Sequence, residues 1–354
     1  MNKKARIIAS YLPQYHPIPE NDKWWGKGFT EWTNVGKTKP LFKGHYQPKV
    51  PSELGYYDLR VSETRIAQAK LAEEYGIEGF CYWHYWFGNG KRLLERPFNE
   101  VLFTGTPDFP FCLGWANETW KGFSYGANGR NPLIEQLYPG DQDFINHFNE
   151  ILPALKDKRY VKVDGKPLFL IFRPSEIPNV KHFIDLWQNL AIKNGLLGIH
   201  FVGQTYHLGE VETILSNNYD AVNIVRLTSC YSQDNRKLTV LKRKLTKVPN
   251  IVNYKDIIQV LVGEEERNNN IYPTLMPNYD HSPRTGNKGL ILHESTPKLF
   301  SKHMKDVMKV IEHKPDENKI IFLKSWNEWG EGNYIEPDLK YGLGYLEVIR
   351  DGLK

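Results

Sequence analysis

Eight apolar runs of strand length, separated by stretches of helical periodicity, constrain this chain more than any other feature. They cover residues 6–12, 77–83, 109–115, 167–172, 199–204, 221–225, 272–276 and 320–326. Alternation of this kind is the pattern of parallel βα units, and eight units are what a closed (β/α)8 TIM barrel requires. The intervening segments read as outer-ring helices. Val180, Phe183, Ile184, Trp187, Leu190 and Ala191 form one apolar stripe that stops at Asn194-Gly195. A second stripe runs through Phe300, Met304, Val307, Met308 and Ile311, behind a Thr296-Pro297 start signal.

The 354 residues fit one such barrel, with 40% hydrophobic and 25% charged residues to fill and solvate it. No Gly/Ser or Pro-rich linker divides the chain, so residues 1–354 are expected to form a single catalytic domain. A doubly wound sheet is the competing α/β arrangement, but no GxGxxG follows the first strand. Three connections are too long to be turns: residues 13–60, 116–141 and 226–253. Each follows a strand, so each is expected on the C-terminal face, where barrel enzymes carry their sites.

Net charge is +5, which does not suggest a nucleic-acid surface, and no nucleic-acid partner is expected. The basic run RKLTVLKRKLTK between Arg236 and Lys247 is the one concentrated patch, expected to be a solvated face or a peripheral membrane contact. Cys81, Cys112 and Cys230 lack metal-ligand spacing, so neither a disulfide framework nor a structural zinc site is expected; the expected site holds no metal and no cofactor. The N-terminal apolar stretch is too short for a secretory or membrane segment, which leads to an expected cytoplasmic location.

Chemistry concentrates at Lys324-Ser-Trp-Asn-Glu-Trp-Gly-Glu-Gly-Asn333, at the end of the eighth strand. Glu328 and Glu331 stand three residues apart, with Gly330 and Gly332 permitting a tight turn. Two carboxylates in one cavity repel each other, which splits their pKa values into an acid and a base. Glycoside cleavage needs that division of labour. Trp326, Asn327 and Trp329 surround the pair as candidate sugar contacts, and Glu336 reads as a helix-start or salt-bridge residue.

Further candidates come from the other strand ends. They are Tyr15 and His16 after the first strand, His84, Tyr85 and Trp86 after the second, and Trp115, Asn117, Glu118 and Trp120 after the third. Arg173 follows the fourth, Gln204 and Tyr206 the fifth, and Asn278 and Asp280 the seventh. Aromatic residues are 13% of the chain, and many sit beside polar ones, as a ring-lined sugar cleft would have them.

Taken together, YLPQYHPIPEND, GFTEW, GFCYWHYWF, WANETW, DGKPLFLIFRP and SWNEWGEG resemble the WbsX-type proteins of bacterial surface-polysaccharide gene clusters. These are similar to glycoside hydrolase family 99, the endo-acting α-mannosidases. The resemblance runs over residues 5–346 and implies a (β/α)8 barrel and metal-free retaining cleavage of α-mannosidic bonds. It implies that the substrate's own 2-hydroxyl attacks C1, giving a 1,2-anhydro sugar. Glu328 would then deprotonate that hydroxyl, while Glu331 would protonate the leaving oxygen and later activate the acceptor. The expected substrate is an oligosaccharide or polysaccharide. WbsX-type members are also described as glycosyltransferases, so a sugar-nucleotide transferase and a non-catalytic glycan-binding barrel are the competing readings. Sugar identity, linkage, acceptor and oligomeric state are not written in these motifs.

Overall fold

The computed structural model describes residues 4–122, 132–231 and 249–354. The basic run between Arg236 and Lys247 lies outside them. Eight parallel strands close on themselves: β1 (Arg6–Tyr11), β2 (Gly79–Trp86), β3 (Phe111–Trp115), β4 (Lys166–Ile171), β5 (His200–Thr205), β6 (Ala221–Ile224), β7 (Ile271–Leu275) and β8 (Ile320–Leu323). Closure is made by Arg6 against Ile320 on one side of β1 and Ile8 against Gly79 on the other. The chain is a (β/α)8 barrel, and all eight expected strands are present within a few residues of their expected ends.

Helices follow the strands: α1 (Ser62–Glu74), α2 (Arg96–Thr104), α3 (Asp141–Leu155), α4 (Val180–Lys193), α5 (Val211–Ser216), α6 (Tyr254–Ile257), α7 (Pro297–Ile311) and α8 (Gly344–Gly352). The stripe on α4 buries Val180, Phe183, Ile184, Trp187 and Ala191 against the barrel wall. Trp187 is fully enclosed, and its indole N–H donates to the Phe144 carbonyl at 3.0 Å. Truncating such a residue to Ala typically costs about 3–5 kcal/mol. Helix α7 begins as expected, with the Thr296 hydroxyl accepting from the Leu299 amide. No helix among the described residues is long and apolar enough to cross a membrane.

Two features depart from the expected pattern. Strand β2 runs three residues further, to Trp86, because Tyr85 and Trp86 pair with the antiparallel segment Arg92–Leu93. A small parallel pair, Asn250–Asn253 with Leu290–His293, flanks β7. At four residues each, its strands are too short to stand out as apolar runs. The loop after β1 carries two short helices, Pro19–Trp25 and Glu31–Gly36, which bring residues of that loop over the barrel mouth.

Candidate active site

Described residues of all three long connections line a cleft of about 700 Å³ over the C-terminal ends of the strands. Glu328 and Glu331 both line it. Strand β8 ends at Leu323, and Asn327-Glu328 then pairs antiparallel with Asn333-Tyr334. Between these segments the chain makes one tight turn, with Gly332 at φ 54°. That hairpin is what brings the two carboxylates to one cavity wall.

The loop is braced from behind. Asn327 is fully buried and binds both backbone groups of Leu12, its Oδ1 accepting at 2.7 Å and its Nδ2 donating at 3.0 Å. The Tyr15 hydroxyl donates to the Asn327 carbonyl and accepts from the Trp329 amide. Trp329 stacks on Tyr334 at 3.6 Å, and its indole donates to Glu336 at 2.6 Å. Glu336 also accepts from Tyr57 and Gln68. It is therefore a buried acceptor hub, not the helix-start or ion-pair residue expected.

One guanidinium organises the acids. Arg284, on the short helix Ser282–Thr285 after β7, donates from Nη2 to Glu328 at 2.5 Å and from Nη1 to Glu331 at 2.8 Å. Its Nε donates to Glu31 at 3.2 Å. The Glu328 side chain is 9% exposed and that of Glu331 21%. Burial pushes the Glu328 carboxyl up to about 7; Arg284 opposes this, while Glu331 and Glu31 reinforce it. Burial also acts to raise Glu331, but Arg284, Lys324 and His281 outweigh it and hold that group below the ordinary carboxylate range. The two groups thus titrate apart, as paired carboxylates in one cavity should.

Of the other candidates, Tyr85, Glu118, Trp120, Arg173 and Tyr206 line the same cleft. Trp120 meets Tyr85 edge to face at 5.0 Å, and Arg173 binds Glu118 at 3.0 Å. The remaining candidates do not line it. On β2, side-chain alternation sends Trp83 and Tyr85 into the cleft and turns His84 and Trp86 outward toward α3. There His84 hydrogen-bonds His147 at 2.8 Å, and Trp86 donates to Asp143 at 3.0 Å. Burial pushes both imidazoles well below the usual histidine range, so they are neutral. His84→Gln is therefore expected to cost about 1–3 kcal/mol of stability while leaving kcat/KM unchanged, checked by thermal melting beside an activity assay.

Trp115 donates to the Trp86 carbonyl, and Asn117 ties Tyr138 to the backbone of Arg173. His16 and Trp326 are buried, Gln204 binds Asn223 inside the barrel, and Asn278 accepts from the Tyr334 amide. Asp280 accepts from His45 and Gln47 at 2.8 and 2.7 Å, and its amide donates to the Glu331 carbonyl at 2.6 Å. Together with Tyr15, Asn327 and Trp329, these side chains hold strands and loops in place. Polar groups at strand ends were open to both uses, and burial decides between them.

Sequence reading missed Glu31, Trp83, Arg284 and Lys324, all of which line the cleft. Trp83 was readable from strand alternation once Tyr85 was chosen. Glu31 lies within the quoted GFTEW motif and Lys324 opens the quoted segment that carries Glu328 and Glu331, while Arg284 carried no local signal beyond its position after a strand.

A closed barrel whose C-terminal cleft pairs two carboxylates among aromatic rings has the glycoside-hydrolase-like architecture of a carbohydrate-active enzyme. The sequence profile of the family described as Glycosyltransferase WbsX matches residues 7–349, and the chain belongs to that family. An uncharacterized protein WxcX from Xanthomonas campestris pv. campestris is 34% identical over 99% of this chain, which spans about half of that relative's length. Among solved structures, the GH99 endo-alpha-mannosidase from Bacteroides thetaiotaomicron bound to BIS-TRIS-Propane has a similar fold. Its TM-score is 0.61 at 16% identity, over 98% of this chain and 96% of the other. A glycoside hydrolase-like protein matches over 100% and 95% at TM-score 0.59 and 15% identity.

Proposed function

We propose that this barrel cleaves or transfers an α-linked, mannose-like glycosyl unit of a bacterial polysaccharide with retention, using Glu328 and Glu331 as its acid/base pair. The observation that carries the reading is the convergence of both carboxylates on one guanidinium in an aromatic cleft, with their proton affinities split. The 2-hydroxyl oxygen bonds to C1 as the glycosidic C–O bond breaks. The hydroxyl proton passes to Glu328, and Glu331 gives its proton to the leaving oxygen. Water or a sugar hydroxyl then opens the 1,2-anhydro ring, with the proton traffic reversed.

In the unliganded cleft the shared proton rests on Glu328, the opposite of what this cycle needs at its start. Substrate supplies the reversal. A hydroxyl donating to Glu328 favours its ionised form, and a sugar body covering Glu331 removes the water that stabilises its charge. Tyr85, Trp120 and Tyr206 offer ring faces to the sugar, and Glu118 with Arg173 offers acceptors and donors to its hydroxyls.

The test is to incubate the chain with α-mannan and synthetic α-mannosides and to follow the first-formed anomer by proton NMR. Release of the α anomer, lost in Glu328→Gln and Glu331→Gln, supports the reading; β-anomer release or undiminished variants would end it. The family's description favours a second reading, transfer from a sugar nucleotide. Calorimetry against a panel of nucleoside diphosphate sugars separates the two, since the glycosidase reading expects no binding.

A further inference from the structure

An acid/base pair alone does not explain Glu31. Its side chain is 1% exposed, yet it lines the cleft. One carboxylate oxygen accepts from Arg284 and, at 3.5 Å, from Asn34, and the other has no hydrogen-bond partner among the described residues. Gly330, between the two catalytic candidates, is what admits it: a Cβ there would overlap the Glu31 carboxylate and lie 3.1 Å from Arg284 Nε. The NEWGE turn is thus shaped to receive a third acid from the β1 loop.

We propose that Glu31 is a third functional carboxylate of this cleft, a positioning residue whose charge obliges the Glu328 and Glu331 pair to hold one proton at neutral pH. The inference rests on the acid/base reading above. Three carboxylates, Glu31, Glu328 and Glu331, face two cations, Arg284 and Lys324. Among the described residues, the other groups nearby do not alter the count, and the cleft-lining Lys121 is exposed to solvent. Burial lowers the pKa of His281, which leaves it neutral at pH 7, and burial raises Tyr15 and Tyr85, which stay protonated. Glu118 is matched by Arg173, and Asp280 faces His45 and Lys49 behind the loop. One negative charge is therefore in excess in a desolvated site, and binding one proton relieves it. Without Glu31, two acids would face two cations, and neither would keep a proton to give to a leaving oxygen. Glu31 also occupies the Nε edge of Arg284, which leaves Nη1 and Nη2 for Glu331 and Glu328.

Carbon NMR of the full chain labelled at the glutamate carboxyl carbon tests this without any substrate. Resonances of the pair are assigned by their loss in Glu328→Gln and Glu331→Gln. The wild type should show a titration step of the pair near pH 7. Glu31→Gln should move that step down by roughly one to two pH units, the scale of one removed charge in a partly desolvated site. Lys324→Gln, which leaves three acids facing one cation, should move it up. A step unmoved in Glu31→Gln, or absent from the wild type near neutrality, overturns the proposal. If Glu31→Gln does not fold, Lys324→Gln decides, since an unmoved or lowered step contradicts the charge count. The expected titration in a protein without glycosidase activity would instead overturn the catalytic reading and leave the charge count standing.

Discussion

Glu328→Gln and Glu331→Gln are each expected to lower kcat/KM on a cleaved α-glycoside by on the order of 10²–10⁴, the usual contribution of one positioned proton-transfer group. Glutamine keeps the size and one acceptor of the side chain, so Arg284 retains a partner and the loss reports the proton rather than a collapsed cleft. The double variant should fall little further, because residues that act as one unit do not lose activity additively.

The pH profile carries more information. A pair that shares one proton titrates in two steps belonging to the pair as a whole. The upper step lies near pH 7, where burial has pushed Glu328, and the lower step lies below the ordinary glutamate range, where Arg284 and Lys324 hold Glu331. In the proposed cycle the form with one proton is the active one, and it dominates between those steps. Activity should therefore be high at mildly acidic pH and fall as pH rises through about 7. A wild-type profile that climbs steadily from pH 6 to pH 9 would contradict the shared proton.

The fold was legible because its signals are periodic. Each barrel strand presents an uninterrupted apolar run, since one face meets the barrel interior and the other the helices, and β4 and β5 are buried almost throughout. The site was legible where it lies on or just beyond such a strand. Glu328 and Glu331 follow β8 closely, and Tyr85 lies on β2. Legibility failed for two physical reasons. The direction of a side chain on a strand alternates, so choosing His84, Tyr85 and Trp86 together necessarily mixed cleft and wall. In loops no period exists at all. Arg284 reaches the acids from a four-residue helix in HSPRT, and Glu31 arrives from a loop hundreds of positions away in sequence. Closure of the barrel, which sets β1 beside β8, places Glu31 against the NEWGE turn, and the pairing of β7 with β8 brings Arg284 there.

The same closure makes Asp280 the position where one substitution should do most harm to stability and to chemistry together. Asp280→Ala removes the acceptor for His45, Gln47 and the Ser282 amide, and takes from the buried Lys49 the larger of its two compensating charges, leaving Asp338. Removing one partner from a buried, charged network typically costs about 3–5 kcal/mol. The damage also reaches the acids. Asp280 anchors the Glu331 carbonyl through its amide and precedes the helix bearing Arg284, while Lys49 holds the neighbouring Gly332 carbonyl at 3.0 Å. Loosening that corner should lower kcat by more than it raises KM, because the geometry of Glu331 against Arg284 is lost while the aromatic walls remain. The sign of the pH effect follows from the depressed pKa. Burial would raise the Asp280 carboxyl, but His45, Lys49 and Ser282 bring it down to about 2. Its contribution to stability is therefore complete above the unfolded value near 3.8 and is lost as pH falls toward 2. Denaturant melts should show wild type and Asp280→Ala well separated at pH 6 and converging in strong acid. A separation that does not change with pH would mean that shape at this corner, not the charge of Asp280, holds it together.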